Sequence, residues 1–242
     1  AHAAALEVEL RLGMAVRPAH YEEGWHMTGT MGVFGAAAAA GRLLGLSVGE
    51  LCHALGMAGS QAAGIREAFG TMTKSLHVGK AASNGLLAAL LAQKGFTAPT
   101  EVLEGRRGFC AVLAGQYDLS KVTSGLGGEY VQLRDGFKLY ACGVVLHPII
   151  DGIRRLRDTH HLSASDIREM ELRVFPAVLD VTGKKEPGTG LEGKFSVYFA
   201  AAIALIEGNA RVSQYTDEKV NRPDVVALME RVRVVPSQDI RK

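Results

Sequence analysis

Cysteine is scarce in this 242-residue chain: Cys52, Cys110 and Cys142 are odd in number, far apart and without a CxxC pair. Zinc and dithiol redox chemistry therefore lack their ligand spacing, and the expected home is a reducing compartment such as the cytosol. An excess of one charge sign is also missing. Twenty-seven Lys and Arg against 25 Asp and Glu leave a formal charge of +2, too weak a field to wrap nucleic acid or coat an anionic membrane. Long apolar runs are absent as well. Those around Val33–Ala40 and Leu86–Ala92 stop at Arg42 and Lys94, short of the roughly 20 residues that a bilayer requires.

What is present is a globular composition, 48% hydrophobic and 21% charged, which excludes disorder and collagen-like fibres and lets a chain of this size bury roughly 70–75% of its unfolded surface. The first half is rich in alanine, glycine and leucine with helical periodicity. Residues 2–15 put Leu6, Leu10 and Met14 on one face. A small-residue helix is expected over Gly32–Leu44, and Ser47 with Glu50 forms a capping box that opens another. Gly64–Val78 reads as loop, Ala81–Lys94 as a helix closed by Gly95, and residues 100–125 as two shorter helices.

Near Leu133 the pattern changes. Gly136–Cys142 is strand-like, Pro148–Asp158 helical, and Met170–Pro176 alternates as a strand does. A helix fits Lys194–Ile206, Pro223 can start another, and a last strand begins at Arg231 without an evident partner. The fold class expected is mainly α, with a large helical domain over 1–133 and a smaller α+β domain over 134–242, both incomplete. The first residues read like the middle of a helix and not like a signal peptide.

Three segments place ionisable groups in unusual company. In Gly24–Thr30, glycines let the backbone approach a ligand beside His26, Thr28 and Thr30; His26 equally fits a helix cap. In Gly70–Lys80, Lys74 and His77 stand three apart, on neighbouring surface if that stretch is helical. A lysine acting as a neutral base would need its pKa lowered by about three pH units, roughly 4 kcal/mol. Lys74 is therefore better suited to clamp an anion or donate a proton, and a histidine to act as base. The third segment, Phe137–Pro148, ends with His147 at a helix start and near the domain junction. No metal or cofactor motif survives: His160-His161 and Cys52-His53 lack further ligands, and Gly125–Gly128 lacks a strand-turn-helix setting. Arg154–Arg157 reads as a solvated helix side, not a nucleic-acid platform.

Taken together, GWHMTGTMGVFGAAAAAGRLLGL, ALGMAGSQAAGIREAFGTMTKSLHVGKAASNGLLAALLAQKGF, FKLYACGVVLHPIIDGI and GKFSVYFAAAIALIEG run in order along the chain and resemble the MmgE/PrpD family. That family includes 2-methylcitrate dehydratase, cis-aconitate decarboxylase and iminodisuccinate epimerase. The resemblance implies a cofactor-free enzyme without a metal, usually a homodimer, with a helical domain, an α+β lid and an active site between them. It assigns catalytic roles to His26, Lys74, His77 and His147. Substrate contacts fall on Thr28, Gly29, Thr30 and Thr73, and a family tyrosine falls near Tyr198 or Phe199. Met27 stands where the family has proline, and the family's aspartate-rich HAxDxDD-type segment has no counterpart before Ala1. A longer chain, or a second polypeptide, is expected to supply the remainder.

The implied reaction is that of a lyase, dehydratase-like, acting on a small di- or tricarboxylic acid by proton transfer next to a carboxylate. Lys74 and the Thr28–Thr30 segment would hold carboxylates, His26 and His147 would exchange protons, and His77 would orient or share one. An epimerase or decarboxylase of a related dicarboxylate uses the same residue types. A catalytically silent helical binding or assembly subunit is the reading from another class.

Overall fold

A computed structural model describes residues 1–240. They are mainly α-helical and divide into two compact units, one of Ala1–Ala68 with Met72–Gly136, the other of Phe69–Thr71 with Phe137 onward.

The first unit contains α1 (His2–Val16), α2 (Ala19–Glu22), α3 (Met27–Leu44), α4 (Val48–Gln61), α5 (Thr73–Gln93), α6 (Phe109–Leu113) and α7 (Ser120–Thr123). Leu12, Val16, Val33 and Phe34 form its centre with Ala37, Ala58, Ala81 and Phe109. Full burial of a side chain such as Phe34 stabilises by about 1.5–3 kcal/mol. The small residues of α3 and α5 let the two helices lie close along their lengths.

The buried side of α1 is not the Leu6, Leu10 and Met14 face. Those three are half-buried, whereas Glu7, Arg11, Leu12 and Val16 are inside. A long-range partner explains this. Arg11 pairs with Glu7 at 2.8 Å and donates to the carbonyls of Ser124 and Glu129, each at 2.7 Å, while Glu7 accepts from the Gln132 amide at 3.0 Å. The two charges are thus satisfied by segment 122–132.

Two boundaries differ from expectation where the site lies. The helix expected from Gly32 begins at Met27, so Thr28–Thr30 form its first turn. The stretch expected to be loop through Val78 is helical from Thr73, although Met72 offers no side-chain cap. The expected capping box at Ser47 and Glu50 is present, with both reciprocal bonds formed.

The second unit contains α8 (His147–His160), β1 (Met170–Val174), α9 (Ala177–Thr182), α10 (Gly190–Gly193), α11 (Val197–Glu207), α12 (Asp217–Val220), α13 (Pro223–Met229) and β2 (Val232–Pro236). The last strand does have a partner: β2 pairs parallel with β1, Met170 opposite Val232 and Val174 opposite Pro236. The strand expected over Gly136–Cys142 is not formed. That segment is irregular: its backbone is tied by Ala141 N–H to the Ala210 carbonyl and, just beyond it, by Gly143 N–H to the Lys194 carbonyl. Helix α11 starts three residues later than expected, at Val197, because the buried Ser196 hydroxyl caps it by accepting from the Phe199 amide at 3.1 Å. It is almost wholly inside, packed with Leu146, Ile150, Val225 and Leu228.

Among the described residues, no helix is long and apolar enough to cross a membrane.

Candidate active site

In the first unit, two short stretches pair antiparallel and fix the position of His26. Trp25 bridges Ile65, the His26 amide donates to the Gly64 carbonyl at 2.9 Å, and the Arg66 amide donates to the Gly24 carbonyl at 2.8 Å. His26 is the extended N-cap of α3, and its carbonyl accepts from the Gly29 and Thr30 amides at 2.9 and 3.2 Å. Its side chain makes no cap bond. Instead its Nδ1 lies 2.9 Å from Nδ1 of His77, one turn beyond Lys74 on α5.

Two glycines make this approach possible. A Cβ on Gly29 would stand 2.5 Å from the Ala63 carbonyl oxygen and 3.3 Å from the His77 Cβ. Gly64 has φ +136°, and a Cβ there would lie 3.1 Å from His77 Nδ1. The N-terminal turn of α3 is thereby brought against the first turns of α5.

The electrostatics follow from burial and neighbours. His26 is 5% exposed, and its pKa is pushed down to about 4, first by loss of water and then by the Lys74 charge and His77. It is neutral near pH 7. The N-terminal turns of two long helices, where amides and dipoles favour anions, meet at this pair.

The structure thus brings His26, Lys74 and His77 together. Thr28 and Thr73 are exposed on the first turns of α3 and α5. Gly29 is a buried packing position. Thr30, expected to contact substrate, is fully buried, and its hydroxyl is 2.8 Å from His20 Nε2. It belongs to the support of the loop, and so does His20, which no motif or spacing in the sequence marks.

In the second unit, His147 is the first residue of α8, half-buried, with its ring edge-on to Tyr140 at 5.3 Å between centroids. Its Nε2 is buried without a hydrogen-bond partner, and burial, then the Lys138 charge, holds its pKa below the usual histidine value. The Tyr140 hydroxyl donates to Asp151 and accepts from Arg154 at 2.6 Å. Tyr198 is half-buried on the first turn of α11, whereas Phe199 is fully buried and meets Tyr215 edge-on at 5.5 Å. Among the described residues, no group of three or more histidine, cysteine or acidic side chains is arranged to hold a metal ion.

Comparison with known proteins agrees in order with these two units. Residues 1–121 match the MmgE/PrpD N-terminal domain and residues 140–242 the MmgE/PrpD C-terminal domain. Cis-aconitate decarboxylase of Aspergillus terreus is 30% identical over 248 residues, covering 95% of this chain and 51% of that protein. The cis-aconitate decarboxylases of Mus musculus and Homo sapiens are 30% and 31% identical, each covering 87% of this chain and 44% of the relative. The chain therefore spans about half the length of the curated relatives it matches. With both domain models matched in sequence order over most of its residues, the chain belongs to the MmgE/PrpD family.

Proposed function

We propose that the full-length protein is a lyase acting on a small di- or tricarboxylic acid by proton transfer at the carbon next to a carboxylate. The observation that carries this reading is the buried His26, bonded to His77 beside the Lys74 cation, where two helix N-termini meet. The cation and the exposed Thr28 and Thr73 hydroxyls suit carboxylates. A histidine held neutral suits proton exchange at carbon. The same reading gives His147 a proton-transfer role and Tyr198 a hydroxyl role in the whole protein.

Loss of carbon dioxide is the first reaction to test, because the Aspergillus terreus, mouse and human relatives are named cis-aconitate decarboxylases. The bond from carbon to the leaving carboxylate breaks, its electron pair stays on that carbon, and a proton from the site replaces carbon dioxide. Dehydration of a 2-methylcitrate-like hydroxy acid comes second: a base removes the carbon-bound proton, and hydroxide leaves with a proton from an acid.

The test uses the full-length protein with cis-aconitate and with 2-methylcitrate, following carbon dioxide release, water elimination and solvent deuterium uptake. Turnover of either acid, reduced by about two orders of magnitude or more in His26→Asn and Lys74→Met, is expected. No turnover and no deuterium exchange by the wild type, or near-normal turnover in both variants, overturns the reading.

A further inference from the structure

A buried histidine outside the predicted set holds the turn that carries His26. His20 is fully buried, stacked on Trp25 at 5.8 Å between ring centroids and 5.7 Å from the ring of Phe109. Its Nδ1 lies 2.7 Å from the Leu113 carbonyl, which can only accept. Nδ1 therefore carries the proton, and Nε2 of the neutral ring is an acceptor. The group facing Nε2 is the Thr30 hydroxyl at 2.8 Å, which must donate. Thr30 has one hydroxyl proton, so the His26 and Met27 carbonyls, each 3.4 Å from its oxygen, are second choices for it. Burial keeps the His20 pKa below the usual value, which favours this neutral form.

The chain of bonds has a direction and a terminus: Thr30 to His20, His20 to Leu113. It ties the first turn of α3 to α6. His26 is the N-cap of that same turn, its carbonyl bonded to the Gly29 and Thr30 amides. A shift of Thr30 would carry the His26 backbone with it, and with it the ring that meets His77.

We infer that His20 is a positioning residue for His26: acting through Thr30, it sets the first turn of α3 so that the His26 ring rests on Nδ1 of His77. The inference rests on the lyase reading only in taking His26 as a proton carrier; its geometric part stands separately.

The test uses full-length protein labelled with nitrogen-15 at histidine, as wild type, Thr30→Val, His20→Asn and His20→Gln. Thr30→Val keeps the volume and removes the donor. His20→Asn can still reach Leu113 but leaves Thr30 without its acceptor, whereas His20→Gln extends to the place of Nε2. In Thr30→Val and His20→Asn, the Nδ1–H resonance shared by His26 and His77 is expected to shift or vanish. With it, kcat falls by about tenfold or more while KM stays within about threefold. His20→Gln is expected to recover the resonance and most of kcat. An unmoved resonance and unchanged kcat in folded Thr30→Val overturns the inference and leaves His20 as packing. Should His20→Asn fail to fold, Thr30→Val decides alone. An inactive wild type whose resonance still responds to Thr30→Val overturns the lyase reading and keeps the positioning role.

Discussion

The Nδ1 atoms of His26 and His77 are 2.9 Å apart, so one ring must donate to the other. A neutral pair does this with opposite tautomers, and a singly protonated pair does it with the imidazolium donating. Two protonated rings cannot, because each Nδ1 would then carry a hydrogen. The contact thus holds at most one extra proton, and burial and Lys74 oppose its residence on His26.

The first consequence is a pH-dependent stability. In the folded protein His26 titrates at about 4, against 6.5 for the ordinary side chain. Between those values the unfolded chain binds more protons, so this contribution is complete above about pH 6.5 and is lost as pH falls toward 4. Its full size is about 3 kcal/mol. Urea unfolding of the full-length protein at a series of pH values should show the loss, and His26→Asn should flatten it. Identical pH slopes for wild type and variant would mean that His26 is not held low.

Lys74 supplies part of that pressure, so removing its charge should act on His26 in a defined direction. In Lys74→Met the apolar stem remains and the cation goes. The His26 pKa should rise from about 4 toward 6.5, followed by histidine NMR titration, and turnover should fall by about two orders of magnitude. A His26 that still titrates near its original value would show that burial and His77 set it without Lys74.

Gly64 offers a way to disturb His77 from outside its own helix. Its φ of +136° and the 3.1 Å from a Cβ to His77 Nδ1 predict both strain and displacement in Gly64→Ala. Gly24, at φ +98° with nothing within 4 Å of a Cβ, supplies a matched control. Each variant should lose about 1–3 kcal/mol in denaturant unfolding. Only Gly64→Ala should shift the His77 ring signals, and equal shifts in the two would remove the steric part of the argument.

Locally written features of the fold were legible in the sequence. The Ser47 and Glu50 box and the start at Pro223 are each encoded within a few residues, and each stands as read. The three-residue spacing of Lys74 and His77 is written there too, but it makes neighbours of them only on a helix, and that stretch reads as loop. The start of α5 was not legible, because Met72 gives no cap and the helix is held there by the fit of His77 against Gly29 and Gly64. The buried face of α1 depends on carbonyls beyond residue 120, and β2 depends on β1, both distant in sequence. His20 shows neither motif nor periodicity; its role is visible only once Leu113 and Thr30 stand on either side of its ring.

The adjacent aromatics on α11 separate packing from chemistry. Phe199 is fully buried, edge-on to Tyr215, and 3.0 Å from where a Cβ on Gly193 would lie. It has no polar atom to offer a substrate. Tyr198 is half-buried and carries a hydroxyl. Phe199→Leu should therefore cost about 1–3 kcal/mol of stability in denaturant unfolding while leaving kcat of the folded fraction near wild type. Tyr198→Phe should keep stability within about 1 kcal/mol and lower kcat by about tenfold or more. If Tyr198→Phe turns over at the wild-type rate, the hydroxyl takes no part and the family tyrosine has no counterpart in this turn of α11.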